Sequence, residues 1–343
     1  TTAVRAVIVR DLDGDGAPEI IASGNQVDEL TTLSILPNRG DGTFAAARLL
    51  PTSLGERIED AGDVNGDGIA DLVTSVYFSN GIAVYNGRGN LQFDAAVPHA
   101  TATHGGPTRI IDFDDDGQPN LVSFSFGSGN PVRVHLFRGD VKTTIDTNLA
   151  NAAGPSIRVM NGAVEILASE RSGQLGLVRI SGANVLVSRI SAGSGFDTSS
   201  TFADVNGDGI ADVVDVTDVP GDLEPLFVTI ANADGTFRDA AQLQRPRHVS
   251  FPISVRTADF DGDGRADLIV SDIASTSLFF FRGDGAGDFA EASPVDAGAT
   301  VNAFDIADVN GDGCPDIVTV NSDNTASVLI NRGCTVPRKR AVR

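Results

Sequence analysis

The nine-residue segment Asp259–Asp267, DFDGDGRAD, places oxygen-bearing side chains at its first, third, fifth and ninth positions. Ca²⁺ prefers six to eight oxygen ligands, and a tight loop supplies them when alternate carboxylates converge and a backbone carbonyl, here that of Arg265, adds one more. Gly262 and Gly264 fit this interpretation, because glycine adopts the positive φ that such a tight turn needs. The segment therefore predicts a cation-binding loop.

The same pattern recurs along the chain. Related nonamers begin at Asp11 (DLDGDGAPE), Asp63 (DVNGDGIAD), Asp112 (DFDDDGQPN), Asp204 (DVNGDGIAD) and Asp308 (DVNGDGCPD). Consecutive starts are 52, 49, 92, 55 and 49 residues apart, and the longest step equals nearly two ordinary ones. Seven units of about fifty residues therefore fill the chain, six with the loop and one without, which indicates a repeat architecture.

Six loops predict five or six bound Ca²⁺ ions, with ligands at positions 1, 3, 5, 7 and 9 of each nonamer and a backbone carbonyl at position 7. In the third loop Asp115 replaces the glycine at position 4 and Asn120 replaces the closing carboxylate, so we expect its ion to be the weakest or absent. The predicted ligand positions are Asp11, Asp13, Asp15, Ala17, Glu19, Asp63, Asn65, Asp67, Ile69, Asp71, Asp112, Asp114, Asp116, Gln118, Asn120, Asp204, Asn206, Asp208, Ile210, Asp212, Asp259, Asp261, Asp263, Arg265, Asp267, Asp308, Asn310, Asp312, Cys314 and Asp316.

Each unit contains short apolar runs between Gly, Asp and Asn clusters, a pattern typical of β-strands. Four runs per unit, with the cation loop between the first two, predict strands A to D. We therefore predict an all-β fold, a seven-bladed β-propeller of four-stranded antiparallel blades with Ca-binding A–B loops, in a single domain. The predicted blades span 1–51, 52–100, 101–151, 152–192, 193–245, 246–295 and 296–337, and a basic tail covers 338–343.

The fourth unit lacks the loop. Its segment Arg158–Ser169, RVMNGAVEILAS, aligns with the second strand and keeps Glu165 at the closing position, but only Asn161-Gly162 remains of the loop. Asn-Gly is a strong signal for a two-residue hairpin turn. We therefore expect this blade to fold without an ion.

Two further markers recur near the turns between strands C and D. A phenylalanine lies 30 or 33 residues after the first aspartate of its loop, and we expect it to anchor the packing between blades. The triplet Arg-Gly-Asp resembles an adhesive ligand, but its place at the end of strand C indicates a structural turn. The phenylalanines are Phe44, Phe93, Phe237 and Phe289, and the triplets begin at Arg39, Arg138 and Arg282.

The formal net charge is −21, and 21 of the 46 acidic residues lie within the six loops. Six divalent ions would bring this charge to about −9. The acidity therefore fits metal binding and argues against nucleic-acid binding, which needs a basic footprint. No apolar run approaches the length needed to span a membrane, so we expect no membrane insertion. We also expect a monomer.

The loop pattern D-x-[DN]-G-D-G-x-x-D, the strand D-[IL]-[IV] that follows it, the turn G-D-G-T-F and the period of about fifty residues resemble the FG-GAP/VCBS repeat family. The resemblance covers nearly the whole chain. It implies a seven-bladed propeller similar to the amino-terminal head of integrin α chains, with calcium in the loops. Similar propellers occur in fungal lectins and in some polysaccharide-processing enzymes, so the resemblance says little about activity.

We expect a ligand on the face opposite the cation loops, where the connections vary most. The favoured function is a lectin-like or protein-binding module without chemistry and with no catalytic residues; the alternative is a lyase or hydrolase acting on an acidic polysaccharide. Arginines recur in strand A, but their opposite parity predicts that they cannot all face the channel. The ligand-face candidates are His99, His104, Arg247 and His248, with an acidic B–C loop predicted at Asp215–Pro225, and the strand-A arginines are Arg5, Arg57, Arg109 and Arg256.

The calcium affinity expected of the loops indicates where the protein is located. Loops this short and solvated predict micromolar to millimolar affinity, which is typical of extracellular modules. We therefore expect a secreted or cell-surface protein, whose mature chain opens at Thr1 after removal of any signal peptide.

A disulfide is predicted between Cys314 and Cys334, the two cysteines of the chain. In an up-and-down blade the end of strand C lies on the same face as the A–B loop, so the two sulfurs can be neighbours. Free thiols would be a liability in an oxidising compartment. Since Thr1 and Thr2 are too few to form an outer strand, we expect Val336–Arg343 to supply it to the last blade and the disulfide to limit its fraying.

Overall fold

β-Strands make up the regular structure of the chain, in seven antiparallel sheets that we call blades 1 to 7. The structure is a computed structural model. It describes residues 3–25, 32–52, 56–76, 81–101, 105–114, 116–125, 131–139, 141–150, 153–160, 163–169, 175–181, 184–190, 196–218, 226–238, 241–242 and 249–334. These residues include no helix long and apolar enough to cross a membrane.

The strands follow the four-part pattern of the repeats. Blade 1 contains β1 (Ala3–Arg10), β2 (Glu19–Asn25), β3 (Thr32–Leu36) and β4 (Arg48–Pro51); blade 2 contains β5 (Glu56–Gly62), β6 (Asp71–Val76), β7 (Gly81–Tyr85) and β8 (Val97–Ala100); blade 3 contains β9 (Gly105–Ile110), β10 (Leu121–Ser125), β11 (Pro131–Arg138) and β12 (Val141–Ala150); blade 4 contains β13 (Ala153–Met160), β14 (Ala163–Ser169), β15 (Leu175–Ser181) and β16 (Asn184–Ile190). Blade 5 contains β17 (Phe196–Ala203), β18 (Asp212–Asp218), β19 (Leu226–Thr229) and β20 (Ala241–Gln242); blade 6 contains β21 (Pro252–Ala258), β22 (Asp267–Asp272), β23 (Ser277–Phe281) and β24 (Ser293–Asp296); blade 7 contains β25 (Val301–Ala307), β26 (Asp316–Asn321) and β27 (Ala326–Leu329).

The seven blades form a closed ring. Strands pair in chain order within every blade, and the first strand of each blade lies beside the first strands of its two neighbours, including β25 beside β1. The predicted seven-bladed propeller of antiparallel blades is confirmed. Blade 7 has three strands among the described residues, and the tail expected to supply its fourth lies outside them.

Neighbouring blades pack face to face through their second strands. Successive side chains of a strand point to opposite faces, so Ile20 belongs to the core shared with blade 7 and Ile21 to the core shared with blade 2. Burial on both faces explains why these strands read as continuous apolar runs. The predicted anchors are confirmed, because each packs in the core shared with the preceding blade: Phe44, Phe93, Phe237 and Phe289.

Polar contacts complete the junction of blades 1 and 7. The Val9 amide donates to Asp305 Oδ2 at 2.9 Å, and Asn38 Nδ2 donates to the Val309 carbonyl at 2.9 Å. Val9 lies on the innermost strand and Asn38 in the C–D turn, so the two contacts bridge the blades at separate places. The ring therefore closes through direct packing between its first and last blades.

The pairing between the first two strands of every blade contains a register shift. In blade 2 the shift lies between Ile58 and Asp60, so that Arg57 pairs with Ser75 while Asp60 pairs with Val73. A bulge adds one residue to a strand and reverses the alternation of its side chains beyond that point. The parity argument against the strand-A arginines was therefore wrong for Arg57, whose side chain lies on the same face as Asp60.

The predicted disulfide is confirmed. Cys314 and Cys334 are bonded, with their Cα atoms 5.6 Å apart. Cys314 lies in the last A–B loop and is 4% exposed. Cys334 follows the third strand of blade 7, so the bond joins the loop to the C–D side of the same blade.

Replacing Cys334 with Ser should destabilise the protein. The bond closes a loop of 20 residues, a length that contributes about 3 kcal/mol in the chain-entropy model. We expect a melting temperature several degrees lower under non-reducing conditions. The double variant Cys314→Ser/Cys334→Ser controls for the unpaired thiol and should melt with the single variant. Melting of both at the wild-type temperature would show that the bond does not hold the blade.

Candidate metal centres

The A–B loops fold around their first aspartate. In the first loop Asp11 Oδ1 accepts the Gly14 amide at 2.8 Å and Oδ2 accepts the Gly16 amide at 2.9 Å. Gly14 and Gly16 have φ values of 79° and 87°, and a Cβ at either would meet no atom within 4 Å. The loop therefore needs glycine for its left-handed backbone and not for space. The same two bonds recur on Asp63, Asp204, Asp259 and Asp308.

This folding brings the carboxylates of positions 1, 3 and 5 together. One oxygen from each of Asp11, Asp13 and Asp15 lies within 4.8 Å of the others, and two further loops show the same grouping. In the remaining loops position 3 is asparagine, which offers a carboxamide oxygen in place of a carboxylate. Hard oxygen donors on a tight loop are the ligands that Ca²⁺ prefers, so the donor sets fit this ion. The two further groups are Asp112, Asp114 and Asp116, and Asp259, Asp261 and Asp263.

The ninth residue has a second task that the sequence did not reveal. Glu19 is 1% exposed; its Oε2 accepts the Leu12 amide at 2.9 Å and its Oε1 accepts the Asn38 amide at 3.3 Å. This one carboxylate thereby ties the A–B loop to the C–D turn of its blade. The same pair of bonds recurs on Asp71, Asp212, Asp267 and Asp316.

Burial dominates the electrostatics of these five carboxyls. It raises the pKa of each above its usual range, and the two amide hydrogen bonds partly offset the rise. Nearby loop aspartates raise the pKa further in all five. A carboxylate has about four lone-pair sites, so the amide bonds leave room for a cation, which would offset both effects.

The third loop differs where the sequence departs from the pattern. Asn120 Oδ1 accepts the Phe113 amide at 3.3 Å, but the position lacks a buried negative charge. Arg138 forms an ion pair with Asp114 and lies over the Phe113 ring, 4.5 Å from its centroid. An arginine therefore already neutralises one predicted ligand. Asp115 lies outside the described residues.

Blade 4 keeps the buried carboxylate, but arginine side chains neutralise it there. Met160 pairs with Ala163 across the A–B connection, while Asn161 and Gly162 lie outside the described residues. Glu165 is 1% exposed and forms ion pairs with Arg158 and Arg179. Two guanidinium groups thus stand where the other blades have loop amides and a candidate ion. Sequence reasoning missed this pair, although Arg158 before the hairpin and Arg179 on the next strand were the available signal.

The three Arg-Gly-Asp triplets belong to internal contacts. Arg282 forms ion pairs with Asp261 and with Asp263, the latter at 3.1 Å, and Arg138 pairs with Asp114 as described above. Arg39 Nη1 donates to the Phe44 carbonyl at 2.8 Å. Two of the three arginines therefore contact the cation loop of their own blade, in keeping with a structural turn.

The ligand-face candidates do not form a described cluster. His99 lies on β8, the outermost strand of blade 2, with its ring centroid 5.7 Å from that of Phe137 in an edge contact. His104, Arg247 and His248 lie outside the described residues. The predicted acidic B–C loop is wrong at its start, because β18 continues through Asp218 and so includes the first four residues assigned to the loop.

One described histidine resembles part of a catalytic arrangement. His135 Nε2 lies 2.7 Å from Ser125 Oγ, and its Nδ1 lies 3.0 Å from Thr144 Oγ1. Ser125 and His135 are both 0% exposed, so a substrate cannot reach them. Burial, together with the charges of Lys142 and Arg133, lowers the pKa of His135 to about 4. The trio is therefore a satisfied polar contact inside blade 3.

A model of FG-GAP-like repeats matches residues 11–74, 63–123, 219–270 and 268–319, more than half of the chain. The unmatched segment 124–218 contains blade 4, which has no cation loop. A comparison with curated proteins found no match.

Two solved structures of BBS1N in complex with ARL6DN are similar in fold. The mercury-soaked crystal has a TM-score of 0.64 at 11% identity over 97% of this chain and 94% of that one. The lead-soaked crystal has a TM-score of 0.63 at 12% identity over 100% and 94%. Identities this low show the fold alone.

Substitutions in blade 5 should separate the two roles of the loop carboxylates. Asp212→Asn leaves one of two buried amides facing an NH₂ group, so we expect a loss of about 1–3 kcal/mol even in excess chelator. Asp208→Asn, at the exposed fifth position, should lower stability in calcium, and because it removes one of the crowded charges it should leave the chelated protein no less stable than the wild type. Urea unfolding with and without chelator measures both.

The identical loop of blade 2 is a matched control. Asp71→Asn should behave like Asp212→Asn, and Asp67→Asn like Asp208→Asn. Equal stabilities of the two position-9 variants and wild type in chelator would contradict the role of the ninth residue as a tie.

Proposed function

Since the chain belongs to the FG-GAP-like repeat family, we propose that it is an extracellular, calcium-stabilised β-propeller whose function is to bind a carbohydrate or a protein surface. The observation that carries the proposal is the grouping of three loop carboxylates within 4.8 Å, built by backbone bonds that recur around the ring. The oxygen donors of such a site are those that Ca²⁺ prefers. A ring of repeated blades is suited to serve as a rigid scaffold for binding.

Charge supports the calcium part of the proposal. Like charges at this separation disfavour one another unless a cation or proton neutralises them. The same crowding recurs in all six loops, and in the first, third and fifth of them three aspartates each lie together among the described residues. Positions 1, 3, 5 and 9 would hold the ion through side-chain oxygens, and position 7 through its carbonyl.

Three observations support binding as the activity. The blades present their connecting loops on a ring held together by shared cores, which suits recognition by a rigid surface. A propeller of the same fold occurs in a complex with a second protein, ARL6DN. The serine–histidine pair in the described part of the chain is sealed inside a blade. The disulfide and the family fit an extracellular location.

Chelation should lower the melting temperature substantially. Removing the ions leaves three or four carboxylates crowded on each loop, and ion binding is coupled to folding in such sites. Differential scanning calorimetry in calcium, in excess EGTA and after calcium is restored measures the effect, and the restored sample should regain its melting temperature. An unchanged curve after metal analysis has verified ion removal would contradict the proposal.

Ligand class is tested with the calcium-loaded chain on a glycan array and on an array of extracellular proteins. We expect saturable binding to one array with no change in the bound molecule. New reducing or unsaturated sugar ends would overturn the binding function in favour of a lyase or hydrolase. Absence of binding on both arrays would also count against it.

A further inference from the structure

Arginines from four blades meet at the inner ring of the propeller. We call Arg10 on β1, Arg57 on β5, Arg109 on β9 and Arg256 on β21 the channel arginines. The charge of Arg256 interacts with those of the other three and with Asp305 on β25. Blades 3 and 6 lie on opposite sides of the ring, so Arg109 and Arg256 stand on innermost strands that face each other across the channel.

The acidic residues near these arginines already have partners. Arg10 lies 3.4 Å from Asp60 and 3.2 Å from Asp305, and Arg57 lies 3.7 Å from Glu59. Asp60 and Asp305 also accept the backbone amides of Ile110 and Val9, at 3.1 and 2.9 Å. Those amides belong to innermost strands, whose inner edges have no neighbouring strand to satisfy them. The carboxylates are therefore held by two arginines and by the ring itself.

Arg109 and Arg256 have no carboxylate at ion-pair distance among the described residues. Arg109 Nη1 donates to the carbonyls of Glu59 at 2.6 Å and Thr108 at 3.0 Å. Arg256 Nη1 donates to Ser254 Oγ at 3.2 Å and to the Val255 carbonyl at 3.0 Å. Each side chain thus uses one nitrogen for its own hydrogen bonds, and the Arg256 guanidinium also lies over the Phe304 ring, 5.8 Å from its centroid.

The remaining nitrogens have the geometry of an anion site. In the part of the chain that is described, Nε and Nη2 of both residues donate to no protein group. These two nitrogens point the same way and form the fork that binds the two oxygens of a carboxylate. Both residues are only half-buried, so part of each residue remains in contact with solvent.

The cluster of charged side chains at the channel has an excess of positive charge, whereas the chain as a whole is negatively charged. The chain carries −21, yet here four arginines face the three carboxylates of Glu59, Asp60 and Asp305. Burial lowers the pKa of Arg256, and the neighbouring arginines lower it further. A guanidinium stays protonated in proteins, so the repulsion persists until an anion relieves it.

We propose that Arg109 and Arg256 form a binding site in the central channel for a small oxyanion, with a carboxylate as the group that fits their forks. The excess of one positive charge in the cluster favours a monoanion over a dianion. The site shares no side chain with the cation loops, so it is independent of calcium ligation. An acidic sugar and a free inorganic oxyanion offer the same chemistry.

Calorimetric titration of the calcium-loaded full chain at low ionic strength tests the site. The probes are glucuronate, sulfate and, as a neutral control, glucose. We expect saturable binding of glucuronate that weakens as salt is added, and none of glucose. Glucuronate tighter than sulfate identifies the carboxylate; the reverse order identifies a tetrahedral oxyanion and overturns the charge argument. Absence of saturable binding for both anions overturns the site.

Variants assign the binding to the two arginines. Arg109→Gln and Arg256→Gln should each weaken glucuronate binding by about tenfold or more, the usual effect of losing a charged hydrogen-bonding partner. Arg238→Gln, at an exposed residue in the C–D turn of blade 5, should leave it unchanged. Equal binding by wild type and both channel variants would place the anion elsewhere.

The variant Asp305→Asn should have the opposite effect on glucuronate binding to that of the two arginine variants. Asparagine keeps an oxygen for the Val9 amide and removes a negative charge that competes for the cluster, so glucuronate should bind more tightly. A misfolded variant cannot produce this gain, and circular dichroism and melting temperature verify the fold of every variant. Weaker or unchanged binding by a folded Asp305→Asn protein would overturn the proposal.

Discussion

The buried carboxylate at the ninth position of five of the six loops is the contact on which those blades depend. Its two oxygens accept one amide from the A–B loop and one from the C–D turn, as Asp71 does with Val64 and Gly87 at 2.9 and 2.7 Å. Burying such a charge is costly unless it is hydrogen-bonded and balanced. The loop aspartates add to this cost, which we propose a cation offsets in five blades, whereas in blade 4 two arginines neutralise Glu165.

Much of the fold could be predicted, because the constraints are local in sequence. A nonamer with glycine at two left-handed positions fixes the turn between strands A and B, and its period fixes the number of blades. The disulfide followed from strand direction, from the presence of two cysteines in the chain and from the liability of free thiols. The boundaries were less accessible: β18 continues through Asp218 because residues such as Asp215 and Thr217 are buried in the sheet, where acidic composition suggested a loop.

The features that escaped prediction depend on register and on contacts between distant residues. A bulge beside Asp60 reverses the side-chain alternation of β5 and brings Arg57 onto the face of Asp60. The periodicity of the sequence does not predict this bulge. Glu165 pairs with Arg179 on the neighbouring strand of blade 4, and Arg109 and Arg256 lie on innermost strands on opposite sides of the ring. The arrangement of the channel arginines follows from closure of the propeller, so the proposed anion site can be recognised only with all innermost strands in place.

Loops and channel divide the charge of the molecule between them. Carboxylates cluster in the A–B loops, where we propose that cations bind. At the inner ring the four channel arginines outnumber the three neighbouring carboxylates. The balance of the loops is tested most directly by crystals grown in calcium and recorded at a wavelength with calcium anomalous signal. Five or six anomalous peaks within the A–B loops, the third weakest and blade 4 without one, are expected. Loops without peaks, or a peak beside Glu165, would contradict the dependence of these blades on a cation.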